Sequence, residues 1–196
     1  MGPPGNQERS SHGSDPRTGF HAALPEGHGL VYRAHNPRWA YAPTCGEGAA
    51  RHGGRFNPRG MPALYTALDP KTAWMEAQQG MPFKAQPLTL VAYRVDCEGI
   101  VDLTDPAAQT ALGIGDAVLG SPWEDLASRG LTPPTWDIAK KLTHAGHLGV
   151  LVPSFAPGTG EGDRNLVLWR WSDAAPCCVV VIDDFGRLPK DDASWR

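Results

Sequence analysis

Apolar positions along this chain gather into short runs, not into long periodic stretches. Gly29-Leu30-Val31-Tyr32-Arg33-Ala34 and Ala63-Leu64-Tyr65-Thr66 have the length and composition of strands. Leu88-Thr89-Leu90-Val91-Ala92-Tyr93-Arg94-Val95 is the clearest strand, β-branched and alternating in part. Ile100-Val101-Asp102-Leu103 continues the sheet after a turn at Gly99. Three later runs, Gly149–Val152, Asn165–Trp171 and Val179–Ile182, bring the expected total to about seven strands. Period two places Trp169 and Trp171 on one face of the second of these.

Helices are expected between the strands. Asp69 followed by Pro70 gives an N-cap and a proline at the first helical position, opening a helix to about Gln79 that Gly80 and Pro82 end. Pro106–Leu112 is a short helix, and Trp136, Ala139, Lys140 and Leu142 mark another with one apolar face. Ser121-Pro122-Trp123-Glu124 has the spacing of a capping box before Asp125-Leu126-Ala127. Strands and helices do not alternate strictly, so the fold class is α+β. Residues 1–28 show no apolar period and read as a flexible tail, leaving 29–196 as the folded domain. Between the first two strands, Asn36–Gly60 is a long irregular stretch rich in Gly, Pro and Arg; a loop of that length inside a compact domain is usually either functional or a wrong assignment, and here a functional loop is favoured.

Composition narrows the possibilities. With 23 glycines and 19 prolines in 196 residues, turns and short elements are favoured over a helical bundle. A net charge of −3 and a pI near 6.1, with no basic stripe, argue against direct nucleic-acid binding. No apolar run approaches the roughly 18 residues of a membrane span. Met1–Arg17 lacks the apolar segment of a secretory signal, so the expected compartment is the cytoplasm. Cys45, Cys97 and the adjacent Cys177 and Cys178 form no CxxC pair and read as buried free thiols. His144 and His147 have no nearby acidic or thiol partner, and no metal is expected. No GxGxxG precedes a helix, so a Rossmann dinucleotide site is unsupported.

The candidate chemistry is concentrated in Gly53-Gly54-Arg55-Phe56-Asn57, followed by Tyr65 and Glu76. Paired glycines let the backbone turn tightly and approach a ligand closely. Arg55 directly after them offers a planar fork to a pyrophosphate or carboxylate. Glu76 lies on the helix capped by Asp69, with the small Thr72 and Ala73 one turn back. The plain alternative is an ordinary turn beside a solvated charge.

Arg33 after the opening strand, the Gly53–Asn57 run, Tyr65, Thr72-Ala73 then Glu76, and Ser154 together resemble the RES domain family over roughly residues 30–171. That family usually carries Trp where this chain has Phe56, and Pro157–Asp163 lies outside the shared pattern. The resemblance implies a fold like that of ADP-ribosyltransferases, with split β-sheets, helices and an NAD⁺-binding cleft between the sheets. It implies a growth-inhibiting toxin of a type II toxin–antitoxin module, with an Xre-type antitoxin as partner. NAD⁺ would be the substrate, its nicotinamide–ribose bond cleaved by hydrolysis or phosphorolysis, or with transfer of ADP-ribose to an acceptor protein. Under this resemblance Glu76 stabilises charge developing on the ribose, assisted by Arg55 and Tyr65. Arg33 and Arg55 hold the pyrophosphate or adjoining ribose, Tyr65 orients the nicotinamide, Ser154 donates to a phosphate or ribose oxygen, and Asn57 holds the loop or touches the ligand. The alternative function is a nucleotide-binding module without catalysis.

Overall fold

The computed structural model describes residues 28–78 and 86–195. Its strands are β1 (His28–His35), β2 (Leu64–Ala67), β3 (Thr89–Cys97), β4 (Ile100–Asp102), β5 (Gly149–Pro153), β6 (Arg164–Leu168) and β7 (Cys177–Val181). They form one seven-stranded sheet in the order β4-β5-β6-β2-β1-β3-β7. Only β4 and β5 run parallel. Among the described residues the helices are α1 (Glu47–His52), α2 (Pro70–Gln78), α3 (Pro106–Leu112), α4 (Asp116–Leu119), α5 (Trp123–Ser128) and α6 (Pro134–His144).

The sheet has a narrow waist. Strand β1 pairs with β3 along its full length, from His28↔Asp96 to His35↔Thr89. Between β1 and β2, in contrast, the only registered pair is Tyr32↔Ala67. Hydrogen bonding therefore divides the sheet into a β4-β5-β6-β2 half and a β1-β3-β7 half, the split expected of the fold. Where the ladder lapses, Tyr32, Arg33 and Ala34 of β1 and Tyr65, Thr66 and Ala67 of β2 line a cavity.

Side-chain alternation along β5 and β6 supplies a core on each face. Leu151, Leu166 and Leu168 join Val31, Tyr93 and Val95 in one cluster. Val150, Val152 and Val167 join Leu103, Ile138, Ala139 and Leu142 in the other, which α6 covers. Burial on both faces explains why these strands read as continuous apolar runs. Helix α2 begins as its sequence dictates: the Asp69 carboxylate accepts from the N–H of Lys71 (2.8 Å) and of Thr72 (3.3 Å).

Several expectations are corrected. The tail assigned to residues 1–28 lies outside the described residues except for His28, which already belongs to β1. The stretch Asn36–Gly60 is not wholly irregular, since it contains a 3₁₀ turn at Pro37–Trp39 and α1. No capping box forms at Ser121: Pro122 is the N-cap of α5 without a side-chain bond, and the Ser121 hydroxyl is buried with no partner. Trp169 and Trp171 do not share a face. Strand β6 ends at Leu168, and the N–H groups of Trp169 and Arg170 both donate to the Leu148 carbonyl (2.8 and 3.3 Å). Two residues thus oppose one, as in a β-bulge, and Trp169 enters the α6-side cluster while Trp171 packs against the other. Cys97 and Cys177 are not free thiols but a disulfide, facing one another across the β3–β7 pairing with Cα atoms 3.8 Å apart. Cys45 and Cys178 remain free, and Cys45 is exposed.

Candidate active site

The Gly53–Asn57 run is a closed turn with a large number of internal restraints. Gly53 has φ of 76°, in the left-handed region that glycine enters without strain. Gly54 and Asn57 exchange backbone bonds, Gly54 N–H to Asn57 (2.9 Å) and Asn57 N–H to Gly54 (3.3 Å). The Tyr65 hydroxyl donates to Asn57 Oδ1 (2.7 Å) and accepts from the Phe56 N–H (2.9 Å). A Cβ on Gly54 would lie 2.5 Å from that hydroxyl and 2.7 Å from Asn57 Oδ1, so only glycine fits. The indoles of Trp136 and Trp169 donate to the carbonyls of Gly54 and Phe56, each at 2.8 Å.

Asn57 is fully buried, and its amide nitrogen donates to the carbonyls of Ala49 (2.9 Å), Met61 (2.9 Å) and Pro58 (3.2 Å). It therefore holds the loop from behind and is not among the residues lining the cavity. Arg55 projects forward. Its Nη1 donates to the carbonyls of Ser121 (2.6 Å) and Leu119 (3.3 Å), and its guanidinium stands 4.5 Å from the centre of the Phe155 ring. This is a cation–π contact that orients the fork.

Across the cavity, one oxygen of Glu76 on α2 is gripped from two strands of the sheet. Its Oε1 accepts from Ser154 Oγ (2.5 Å), just beyond β5, and from Asn165 Nδ2 (2.5 Å) on β6. Such charge-assisted bonds are among the strongest a side chain makes. Asp163 draws α2 and the β5–β6 connection together: its carboxylate accepts from Thr72 of α2 and from the Gly160 N–H (2.7 Å), and its carbonyl accepts from the Ser154 N–H (2.8 Å). The bond from Thr72, more than any other cause, holds the Asp163 carboxyl below the usual carboxylate range. Asp163, in the stretch Pro157–Asp163 that was expected to lie outside the family pattern but falls within the family match, thus buttresses the carboxylate.

Arg33, Arg55, Tyr65, Glu76 and Asn165 line one cavity of about 330 Å³, with Trp123 and Phe155 as aromatic walls. A second lobe of about 170 Å³ at the sheet waist shares Arg33, Tyr65, Glu76 and Asn165. Burial pushes the Tyr65 phenol upward, so it stays a neutral hydrogen-bonding group. Burial lowers the Arg55 guanidinium from its ordinary value, opposed by the charge of Glu76. Arg33 Nη1 donates to the carbonyls of Pro43 (3.0 Å) and Cys45 (3.1 Å). Ser154 lies behind Glu76, its hydroxyl proton directed at the carboxylate and not at the cavity.

The structure therefore brings Arg33, Arg55, Tyr65 and Glu76 to one cavity and sets Asn57 and Ser154 behind it as supports. Sequence reasoning missed Asn165. Its amide nitrogen must face the acceptor Glu76, which leaves Oδ1 buried and unpartnered. The available signal was a polar residue heading the apolar run Leu166–Trp169. Among the described residues no three His, Cys, Asp or Glu side chains gather as a metal would require. Chemically, the arrangement is an oriented carboxylate facing two guanidinium groups, able to hold an anionic ligand while stabilising positive charge at a carbon beside it.

The RES domain family matches residues 30–191. The NAD(+) phosphorylases MbcT of Mycobacterium tuberculosis and Mycobacterium bovis are each 31% identical over 134 residues, spanning 62% of this chain and 71% of the relative. The crystal structure of the M. tuberculosis MbcT–MbcA toxin–antitoxin complex contains a chain of the same fold. It aligns with a TM-score of 0.57 at 22% identity, over 81% of this chain and 85% of that one.

Proposed function

The chain belongs to the RES domain family, and from that premise we propose that it is an NAD⁺-consuming toxin that cleaves the nicotinamide–ribose bond by phosphorolysis. The observation that carries this reading is the Glu76 carboxylate, fixed by Ser154 and Asn165 in a cavity that also holds Arg33, Arg55 and Tyr65. The likeness to relatives named NAD(+) phosphorylase favours phosphate as the acceptor over water or a protein side chain.

The chemistry follows from charge. As the C–N bond to the ribose breaks, both electrons pass to the nicotinamide nitrogen, and the cationic ring leaves neutral without a general acid. Positive charge develops on the ribose, an oxocarbenium-like state akin to that of glycoside hydrolysis. Glu76, steadied by Asn165, stabilises that charge and holds a ribose hydroxyl. A phosphate oxygen then bonds to the anomeric carbon, giving ADP-ribose phosphorylated there. The carbonyl bonds engage Nη1 of Arg33 and of Arg55. Five N–H donors on each guanidinium leave capacity for the pyrophosphate and the incoming phosphate. Tyr65, locked by its hydroxyl, presents its ring to the nicotinamide. Ser154 and Asn57 act as positioning residues.

Residues 29–196 form the catalytic domain in this reading, with an Xre-type antitoxin closing the cleft and the cytoplasm, where NAD⁺ is plentiful, as the place of action. No helix among the described residues is long and apolar enough to cross a membrane. The test is to incubate purified protein with NAD⁺, with and without inorganic phosphate, and to separate the products by chromatography. Phosphate-dependent release of nicotinamide and phosphorylated ADP-ribose is expected. Plain ADP-ribose regardless of phosphate would mean hydrolysis, and labelling of a lysate protein by adenylate-tagged NAD⁺ would mean transfer. Tight binding of intact NAD⁺ without release would leave only a nucleotide-binding module.

A further inference from the structure

Phosphorolysis and hydrolysis share the departing nicotinamide and differ in what reaches the anomeric carbon next. Water is the smaller and far more abundant acceptor, so phosphate prevails only where the cavity keeps water out. The two lobes of the cleft differ in this respect. Ala34, Ala67, Ala73 and Ala77 are among the small residues lining the lobe at the sheet waist. The lobe at Arg55 is walled by Trp123 and Phe155, over the buried side chains of Phe56, Val152 and Val167. We propose that Trp123 determines the acceptor, its indole forming the apolar wall that shuts bulk water out while the guanidinium groups admit an anion. The inference rests on the reading of the chain as an NAD⁺-phosphorolysing enzyme and names the side chain on which its choice of phosphate depends.

The way Trp123 is held supports this. The Ser121 carbonyl accepts from the Trp123 N–H (2.8 Å) and from Arg55 Nη1 (2.6 Å), so one oxygen ties the start of α5 to the guanidinium. Leu119 is buried in the α6-side cluster and anchors the segment, and its carbonyl takes the second Arg55 bond (3.3 Å). Trp123 is therefore fixed relative to the cation it stands beside.

Its place in the fold supports it further. Helix α5 buries no side chain, and Pro122 and Glu124 on either side of Trp123 are exposed. Of these three only Trp123 lines the cavity, and it is half-buried, so its ring is the boundary between cavity and solvent. Removing the indole would open the lobe to bulk water at that point. Phe155 completes the enclosure. Its ring lies 4.5 Å from the Arg55 guanidinium, and a Cβ on Gly120 would stand 3.6 Å from it. A ring face attracts a cation without using its N–H donors, which stay available for an anion.

The experiment gives NAD⁺ to the full chain over a series of inorganic phosphate concentrations. Chromatography reads the ratio of phosphorylated ADP-ribose to plain ADP-ribose for wild type, Trp123→Ala, Trp123→Gln and Trp123→Phe. That ratio does not depend on the overall rate or on the amount of folded protein, so a merely structural role for Trp123 would leave it unmoved. At saturating phosphate it is expected to fall about tenfold in Trp123→Ala and Trp123→Gln, with Trp123→Phe close to wild type. A ratio that matches wild type at saturating phosphate in the Ala and Gln variants, or that falls as far in Trp123→Phe, would overturn the assignment. Wild type that forms phosphorylated ADP-ribose beside unaffected variants removes only the role of Trp123. Wild type that forms plain ADP-ribose alone removes the phosphorolytic reading and this inference with it.

Discussion

The wall of the cavity formed by Gly53–Asn57 and Tyr65 closes on itself, whereas the wall formed by Glu76, Ser154 and Asn165 converges on a single carboxylate oxygen. In the first, donors and acceptors are matched within the loop and with Tyr65, Trp136 and Trp169. In the second, the partners come from α2, from the end of β5 and from β6, and a buried Asn165 oxygen remains without one. A wall that satisfies itself can hold its shape with or without ligand. The other directs its donors at Glu76 and holds that carboxylate at the cavity. The difference separates a wall whose backbone fixes the site's shape, and from which Arg55 and the Tyr65 ring reach the cavity, from one built around a single carboxylate.

The comparison is broken most severely at Glu76. Glu76→Gln keeps the shape of the side chain but removes its charge, and turnover of NAD⁺ should fall about 10²–10³-fold with little change in melting temperature. A wild-type rate in this variant would remove the carboxylate from the chemistry. Ser154→Ala and Asn165→Ala each delete one charge-assisted bond to Glu76 and should lower kcat by about ten- to a hundredfold. Because Ser154 acts only through Glu76, its variant should leave KM nearly unchanged. A rise in KM alone would make it a substrate ligand.

On the other wall the expected readout is stability. Gly54→Ala forces a methyl group against the Tyr65 hydroxyl and Asn57 Oδ1, and should cost about 1–3 kcal/mol in denaturant unfolding. The smallest effect lies at His35. Its ordinary value of 6.5 falls to about 4 in the folded chain, so between those values the unfolded chain takes up a proton that the folded chain refuses. Stability should therefore decline as pH drops from about 6.5 toward about 4, and His35→Gln should flatten that part of a melting-temperature profile.

The Asp69-Pro70 start of α2, strand β3 and the paired glycines were legible in the sequence because each is a local signal: a cap, an alternation, a backbone freedom. Spacing from them made Glu76 a candidate, and its role came from the family resemblance. Asn165 was not legible, since its meaning depends on β6 lying opposite α2, a contact 89 positions apart in the chain. The Cys97–Cys177 bridge, separated by 80 residues, was hidden for the same reason. The bulge after Leu168 reversed the facing of the two tryptophans, because period-two reasoning fails once one extra residue enters a strand. Helix α1 was obscured by its glycine-rich surroundings, and it is held by its place beside Asn57, whose amide nitrogen donates to the Ala49 carbonyl.

The most direct test of this division of labour is the position of bound ADP-ribose in crystals of the Glu76→Gln variant. The account predicts density for a ribose within hydrogen-bonding distance of the side chains at 76 and 165, with the Gly53–Asn57 turn unmoved. Ligand density elsewhere, with the side chain at 76 turned away from it, would contradict the account.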